Sequence, residues 1–117
     1  MMHNEKKLSN IVEELTMFFF TIGATDVRSS IKIRENTGTV EFDADYNRKH
    51  EERLLSLEKY LKMPKNEAVG DFYWELAGTG DPGETSQLLV VGSMVDDAEI
   101  RIEDGRVHIK LYKELDR

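Results

Sequence analysis

The chain has 117 residues, no cysteine, and 23 acidic against 16 basic side chains, for a formal net charge of -7 at pH 7. Hydrophobic residues at 39% and charged residues at 33% suit one water-soluble domain with one modest core. The acidity and the lack of a dense Lys or Arg block argue against nucleic acid or an anionic membrane as partner, and the lack of cysteine excludes disulfides and thiolate chemistry.

The longest apolar stretch near the start, Leu15 to Ile22, is about eight residues where a membrane helix needs roughly twenty. Glu13 and Glu14 interrupt the only signal-peptide candidate, so the chain is expected to be mature from its first residue, cytoplasmic and not inserted in a membrane.

From Leu8 to Ile22, the apolar residues Leu8, Ile11, Val12, Leu15, Phe18, Phe19 and Ile22 recur at three- and four-residue steps. This is the period of a helix with one buried face, and Gly23 is placed to end it by adopting positive φ. Two alternating runs follow, Val27 to Arg34 and Thr39 to Asp45, around Glu35-Asn36-Thr37-Gly38. They predict a β-hairpin in which Val27, Ile31 and Ile33 share a face with Val40 and Phe42, given a slight irregularity at Ser29 and Ser30 that resets the alternation.

Arg48 to Met63 reads as a second amphipathic helix with Leu54, Leu55, Leu57, Tyr60, Leu61 and Met63 on its buried side, Asn47 as cap and Pro64 as terminator. Residues 66–78, with Phe72, Tyr73 and Trp74, are open between a short helix and a strand. Gly78-Thr79-Gly80-Asp81-Pro82-Gly83 is a glycine-rich loop, and Gln87 to Val95 is again open between a buried helix and a strand. Ala98 to Ile102 and Arg106 to Tyr112, joined at Asp104-Gly105, predict a second hairpin with clean alternation.

The fold class expected from this order is an α+β two-layer sandwich, with a mixed, mostly antiparallel sheet covered on one face by about three helices. Helix, hairpin, helix, loop, helix, hairpin resembles the Bergerat-type ATP-binding domain shared by histidine kinases, anti-sigma factors and gyrase-like ATPases. Ile11-Val12-Glu13-Glu14-Leu15 running into Gly23-Ala24-Thr25-Asp26-Val27 is similar to the family's first motif helix and hairpin. Leu88 to Asp96, followed by Ile100, Ile102, Gly105-Arg106 and Ile109, is similar to its last helix and closing hairpin.

The resemblance implies a catalytic role for Glu14, adenine contacts for Asp43 or Asp45, and phosphate contacts for Gly78, Gly80, Gly83, Thr85 and Ser86. It also implies an Asn one turn after the Glu as magnesium ligand, where this chain has Phe18, or Met17 if the register starts from Glu13. Phenylalanine and methionine side chains offer no oxygen to a hard cation. The glycines that follow the adenine-binding Asp in the family are replaced by Ala44 and its neighbours, and the glycine pair at the last helix by Thr85 and Gln87.

The implied function is accordingly a non-catalytic signalling and protein-interaction module on this scaffold, with a protein partner, a homodimer among the options, and no cofactor. The alternative is a functional ATP- and magnesium-binding domain of a histidine kinase or an anti-sigma-type serine kinase. Asp43 and Asp45, at the end of a strand, are expected to face opposite sides, so that at most one enters a pocket. His3, His50 and His108 lie in different elements with no acidic partner at ligand spacing, which argues against a zinc site. The loop from Gly78 to Gly83 fails as a P-loop because Glu84 stands where the phosphate-binding lysine belongs.

Overall fold

The computed structural model describes residues 4–62 and 84–115, with the backbone alone for 84–87 and 89. In chain order these form helix α1 (Asn4–Thr21), strands β1 (Val27–Arg34) and β2 (Thr37–Asp45), and a 3-10 turn (Arg48–Leu54) that runs into α2 (Leu55–Leu61). Helix α3 (Glu84–Met94) and strands β3 (Asp97–Glu103) and β4 (Arg106–Glu114) complete them. The sheet order is β1-β2-β4-β3. The expectation allowed for a mixed sheet; every described ladder is antiparallel, so two hairpins lie side by side through their second strands.

Alternation within each strand separates the two faces of this sheet. Val40, Phe42, Ala44, Val107, Ile109 and Leu111 turn inward and are buried beneath Leu8, Ile11, Leu15, Phe18, Phe19 and Ile22 of α1, Leu88 and Val91 of α3, and Leu57 and Leu61 of α2. No polar or charged side chain is buried among the described residues. The result is the two-layer α+β sandwich, helices on one side and an open polar sheet face on the other. No described helix is long and apolar enough to cross a membrane.

Helix α1 ends where the sequence places its stop. Gly23 has φ +87°, the Gly23 amide donates to the Phe20 carbonyl at 3.2 Å, and the Ala24 amide donates to the Phe19 carbonyl at 2.9 Å, which together make a Schellman cap. The hairpin needs no irregularity. Its register runs unbroken from Val27 opposite Ala44 to Arg34 opposite Thr37, because Val27, Ser29, Ile31 and Ile33 are already spaced two apart. Its turn is Glu35-Asn36 with Glu35 at φ 56°, so Thr37 and Gly38 belong to the strand.

The predicted second helix divides at His50, whose φ of -108° and ψ of 17° are not helical. Asn47 caps the first part by accepting from the Lys49 amide at 2.9 Å. Leu54, Leu57 and Leu61 face the core, whereas Leu55 is 77% exposed, since adjacent residues stand about a quarter-turn apart on a helix. Gln87 to Val95, open in the sequence between helix and strand, is helical as far as Met94, in a helix that starts at Glu84. The expectation for residues 66–78 lies outside the described residues.

Candidate functional site

The open sheet face is polar from edge to edge because every second residue of all four strands points to it. One row across the sheet is Arg28, Asp43, His108 and Arg101; the next is Ser30, Glu41, Lys110 and Glu99. Together these rows line a shallow concavity of about 470 Å³. Asp43 organises its centre. One carboxylate oxygen accepts from Arg106 Nε at 2.7 Å and from Arg106 Nη2, and the other faces His108 Nδ1. Arg106 also donates through Nη1 to Asp26 at 3.3 Å, and Asp26 pairs with Arg28 at 3.4 Å.

Asp45 lies two residues on and therefore on the same face, which corrects the expectation that the two acids point apart. Its task is local. Asp45 accepts from the Thr25 amide at 2.7 Å, the Thr25 hydroxyl at 2.6 Å and the Asp26 amide at 3.0 Å. The Thr25 hydroxyl, then the two amides, hold its carboxyl below the usual carboxylate range. Nearby, the Asn47 amide donates to the Ile22 carbonyl at 2.9 Å, and a Cβ on Gly23 would come within 2.7 Å of Asn47 Cβ. Asp45 thus fastens the turn after α1 to the end of β2.

Glu14 lies on the other side of the sheet, in the helical layer. It borders a groove of about 560 Å³ with Lys7 and Asn10 of α1, Ser93 and Met94 of α3, and Lys113 of β4. Lys113 Nζ donates to the Met94 carbonyl at 2.8 Å, which fixes one wall. Partial burial, and then the neighbouring Glu13, push the Glu14 carboxyl above its ordinary value. One turn on, Phe18 is 0% exposed and meets Phe19 edge-to-face at 5.1 Å between ring centres. Phe19 in turn stacks on Phe42 at 5.3 Å.

The candidates of the nucleotide reading therefore do not share one pocket. Asp43 and Asp45 stand on the open face of the sheet, Glu14 stands among the helices, and the packed core lies between them. Thr85 and Ser86 fall in the first turn of α3, about 10 Å along the helix from Ser93, and Gly78, Gly80 and Gly83 lie outside the described residues. Among the described residues, no group of three or more His, Asp or Glu side chains is placed to share a metal ion.

His108 does have an acidic partner, contrary to the sequence expectation, because β2 and β4 place it directly opposite Asp43. The alternation of β4 marks Arg106, His108 and Lys110 as one face in the sequence alone. That β4 lies against β2 is a property of the sheet order, and no local pattern carries it. In comparisons with known proteins, the chain matches no family model, no curated protein and no solved structure.

Proposed function

We propose that the chain is a non-catalytic protein-interaction module of a bacterial signalling pathway, built on a scaffold like that of the histidine-kinase and anti-sigma ATP-binding domains and working in the cytoplasm. The observation that carries this reading is Phe18. Where the family's metal ligand is expected, one turn after Glu14, the side chain is buried in the aromatic core, so that this stretch of α1 serves packing. Asp43 adds support, since its carboxylate is engaged by Arg106 and His108 on the face away from α1.

A partner protein would meet the surfaces that packing leaves over. The outward side of α1 carries Met17 and Phe20, both exposed, three residues apart on one face. The open sheet face offers charges of both signs in fixed positions. Neither surface has the concentrated positive charge that a nucleic acid needs.

The second reading, an ATP-binding kinase domain, is favoured by the groove beside Glu14. It is within the size range of small-molecule sites and is bordered by Lys7, whose ammonium can meet phosphate. Thermal denaturation with ATP and magnesium separates the two. A ligand at a hundredfold its Kd stabilises the folded state by about 2.7 kcal/mol, which is several degrees for a domain of this size. The interaction-module reading expects no shift; a magnesium-dependent rise in Tm would transfer the function to the groove.

A further inference from the structure

The two edges of the sheet carry opposite charge. β1 presents Arg28, Lys32 and Arg34 with no acid in the strand, and β3 presents Asp97, Glu99 and Glu103 around a single Arg101. These residues all lie on the open face, through the register of each strand with its neighbour. On the helix-side face, the same two strands carry the sheet's exposed large apolar residues, Ile31 at 41% and Ile102 at 44%. Neither edge has a second strand partner among the described residues.

We propose that the edges are made for each other across molecules: β3 of one copy adds to β1 of the next and continues the sheet. Three antiparallel steps separate β1 from β3 within one molecule, so the two strands run in opposite directions. A second copy displaced along the sheet therefore presents β3 antiparallel to β1 with its helices on the same side.

One register matches the charges on the open face and sets Ile31 against Ile100 on the other. Arg34 stands opposite Asp97, Lys32 opposite Glu99, Ser30 opposite Arg101 and Arg28 opposite Glu103 on the open face. Ile33 then stands opposite Ala98, Ile31 opposite Ile100 and Ser29 opposite Ile102 on the helix side. Opposite charges and β-branched pairs directly across a ladder are the contacts that stabilise antiparallel pairing. The exposed ion pairs Arg28 with Asp26 and Arg101 with Glu103, 3.4 Å and 3.3 Å long, are weak enough to exchange for those across the junction.

A symmetric contact is disfavoured. β1 against β1 sets cations against cations with no acid to compensate, and β3 against β3 in its central register sets Asp97 against Glu103 at both ends, a repulsion that the two Glu99–Arg101 pairs between them only offset. Charged edge strands commonly serve to prevent pairing. Here the sign reverses from one edge to the other, so the unlike pair is the one that sets three opposite charges across the ladder with no like charges facing each other. Such a contact is heterologous and does not close on itself, so it extends into a chain of copies. With about 20–25° of twist per strand, four strands turn each successive copy by roughly 80–100°.

This inference goes beyond the interaction-module reading and does not depend on it, because nucleotide binding and association between copies are read by separate measurements. The test is sedimentation velocity over a concentration series on three chains: the wild type, Arg28→Glu with Lys32→Glu and Arg34→Glu, and Asp97→Lys with Glu99→Lys and Glu103→Lys. The wild type is expected to grow beyond its 13.5 kDa monomer as concentration rises. Each variant, its fold checked by circular dichroism, is expected to stay monomeric alone, and the two mixed at equal amounts are expected to associate again.

A wild type that stays monomeric throughout, or a variant that associates as the wild type does, would overturn the proposal. Register is checked independently in this cysteine-free chain by mixing Ser30→Cys with Arg101→Cys under oxidation. A disulfide between the two kinds of chain is expected, and one formed by Ser30→Cys with itself would show a symmetric β1 contact instead.

Discussion

Asp43 and His108 are cross-strand partners on β2 and β4, 65 positions apart in the chain, and Arg106 grips the same carboxylate from the next position on that face. One carboxylate therefore fastens the first hairpin to the second on the face without helices. Among the described residues no apolar layer on that face helps to hold the two hairpins in register, so the polar cluster performs there the task that packing performs beneath. Replacing Asp43 by Asn removes the charge that holds both partners. The expected outcome is a lower urea midpoint with unchanged slope. Arg106→Ala combined with Asp43→Asn should cost less than the sum of the two single losses, because the pair is a shared interaction.

How the hairpins meet could not be read locally. The strands themselves were legible: Val107, Ile109 and Leu111 alternate with polar residues, and Asp104-Gly105, with φ of 50° and 77°, is the turn that a two-residue hairpin demands. Which strand lies beside β4 depends on burial of both hairpins under shared helices. The expected separation of Asp43 from Asp45 failed for a simpler reason, since two residues in a strand is one full side-chain period. In the helices, Phe18 as core rather than ligand was legible from the period of α1. The break at His50 is concealed by the charge pattern of residues 48–53.

Gly92 marks a close approach between helices α2 and α3. A Cβ there would lie 2.2 Å from the Tyr60 carbonyl oxygen, a backbone atom that cannot turn aside. Gly92→Ala should force the two helices apart and destabilise the fold by about 1–3 kcal/mol, seen as a fall in Tm of about 4–8 °C per kcal/mol. Gly38→Ala is the comparison. Its methyl would meet Leu8 Cδ1 at 2.9 Å, the far end of a side chain that can shift, so the loss should be smaller. Equal losses would mean that α2 and α3 are not seated against each other as described.

Asp45 and Glu14 give acid titration two contributions of opposite sign. The folded state lowers the Asp45 carboxyl through its bonds to Thr25 and Asp26, so its contribution is complete above the ordinary Asp value and is lost as pH falls through the lowered one. Burial raises the Glu14 carboxyl, so folding disfavours its charged form and stability declines as pH rises from the ordinary Glu value through the raised one. Asp45→Asn should therefore be less stable than the wild type at neutral pH and approach it in strong acid. Glu14→Gln should be more stable at neutral pH and lose that gain in acid. Urea midpoints between pH 3 and pH 7 measure both, and a Glu14→Gln variant weaker than the wild type at pH 7 would place that carboxylate in a favourable interaction instead.

Phe18→Asn tests the resemblance at its most sensitive residue. If α1 were a nucleotide-binding helix with a single altered ligand, restoring the amide would put an oxygen at a site near Glu14 and cost little. In this fold the side chain is fully enclosed by Phe19 and the inner face of the sheet. An Asn there would lose the packing of a whole ring, worth about 3–5 kcal/mol when a phenylalanine is truncated in a core, and would also bury an unpaired amide. Native stability in a domain is about 5–15 kcal/mol, so the variant should be largely unfolded or close to it at 37 °C, without magnesium-dependent rescue by ATP. A variant that keeps the wild-type Tm, or one that ATP and magnesium refold, would show that this position faces a polar site and that the scaffold retains the chemistry its sequence resembles.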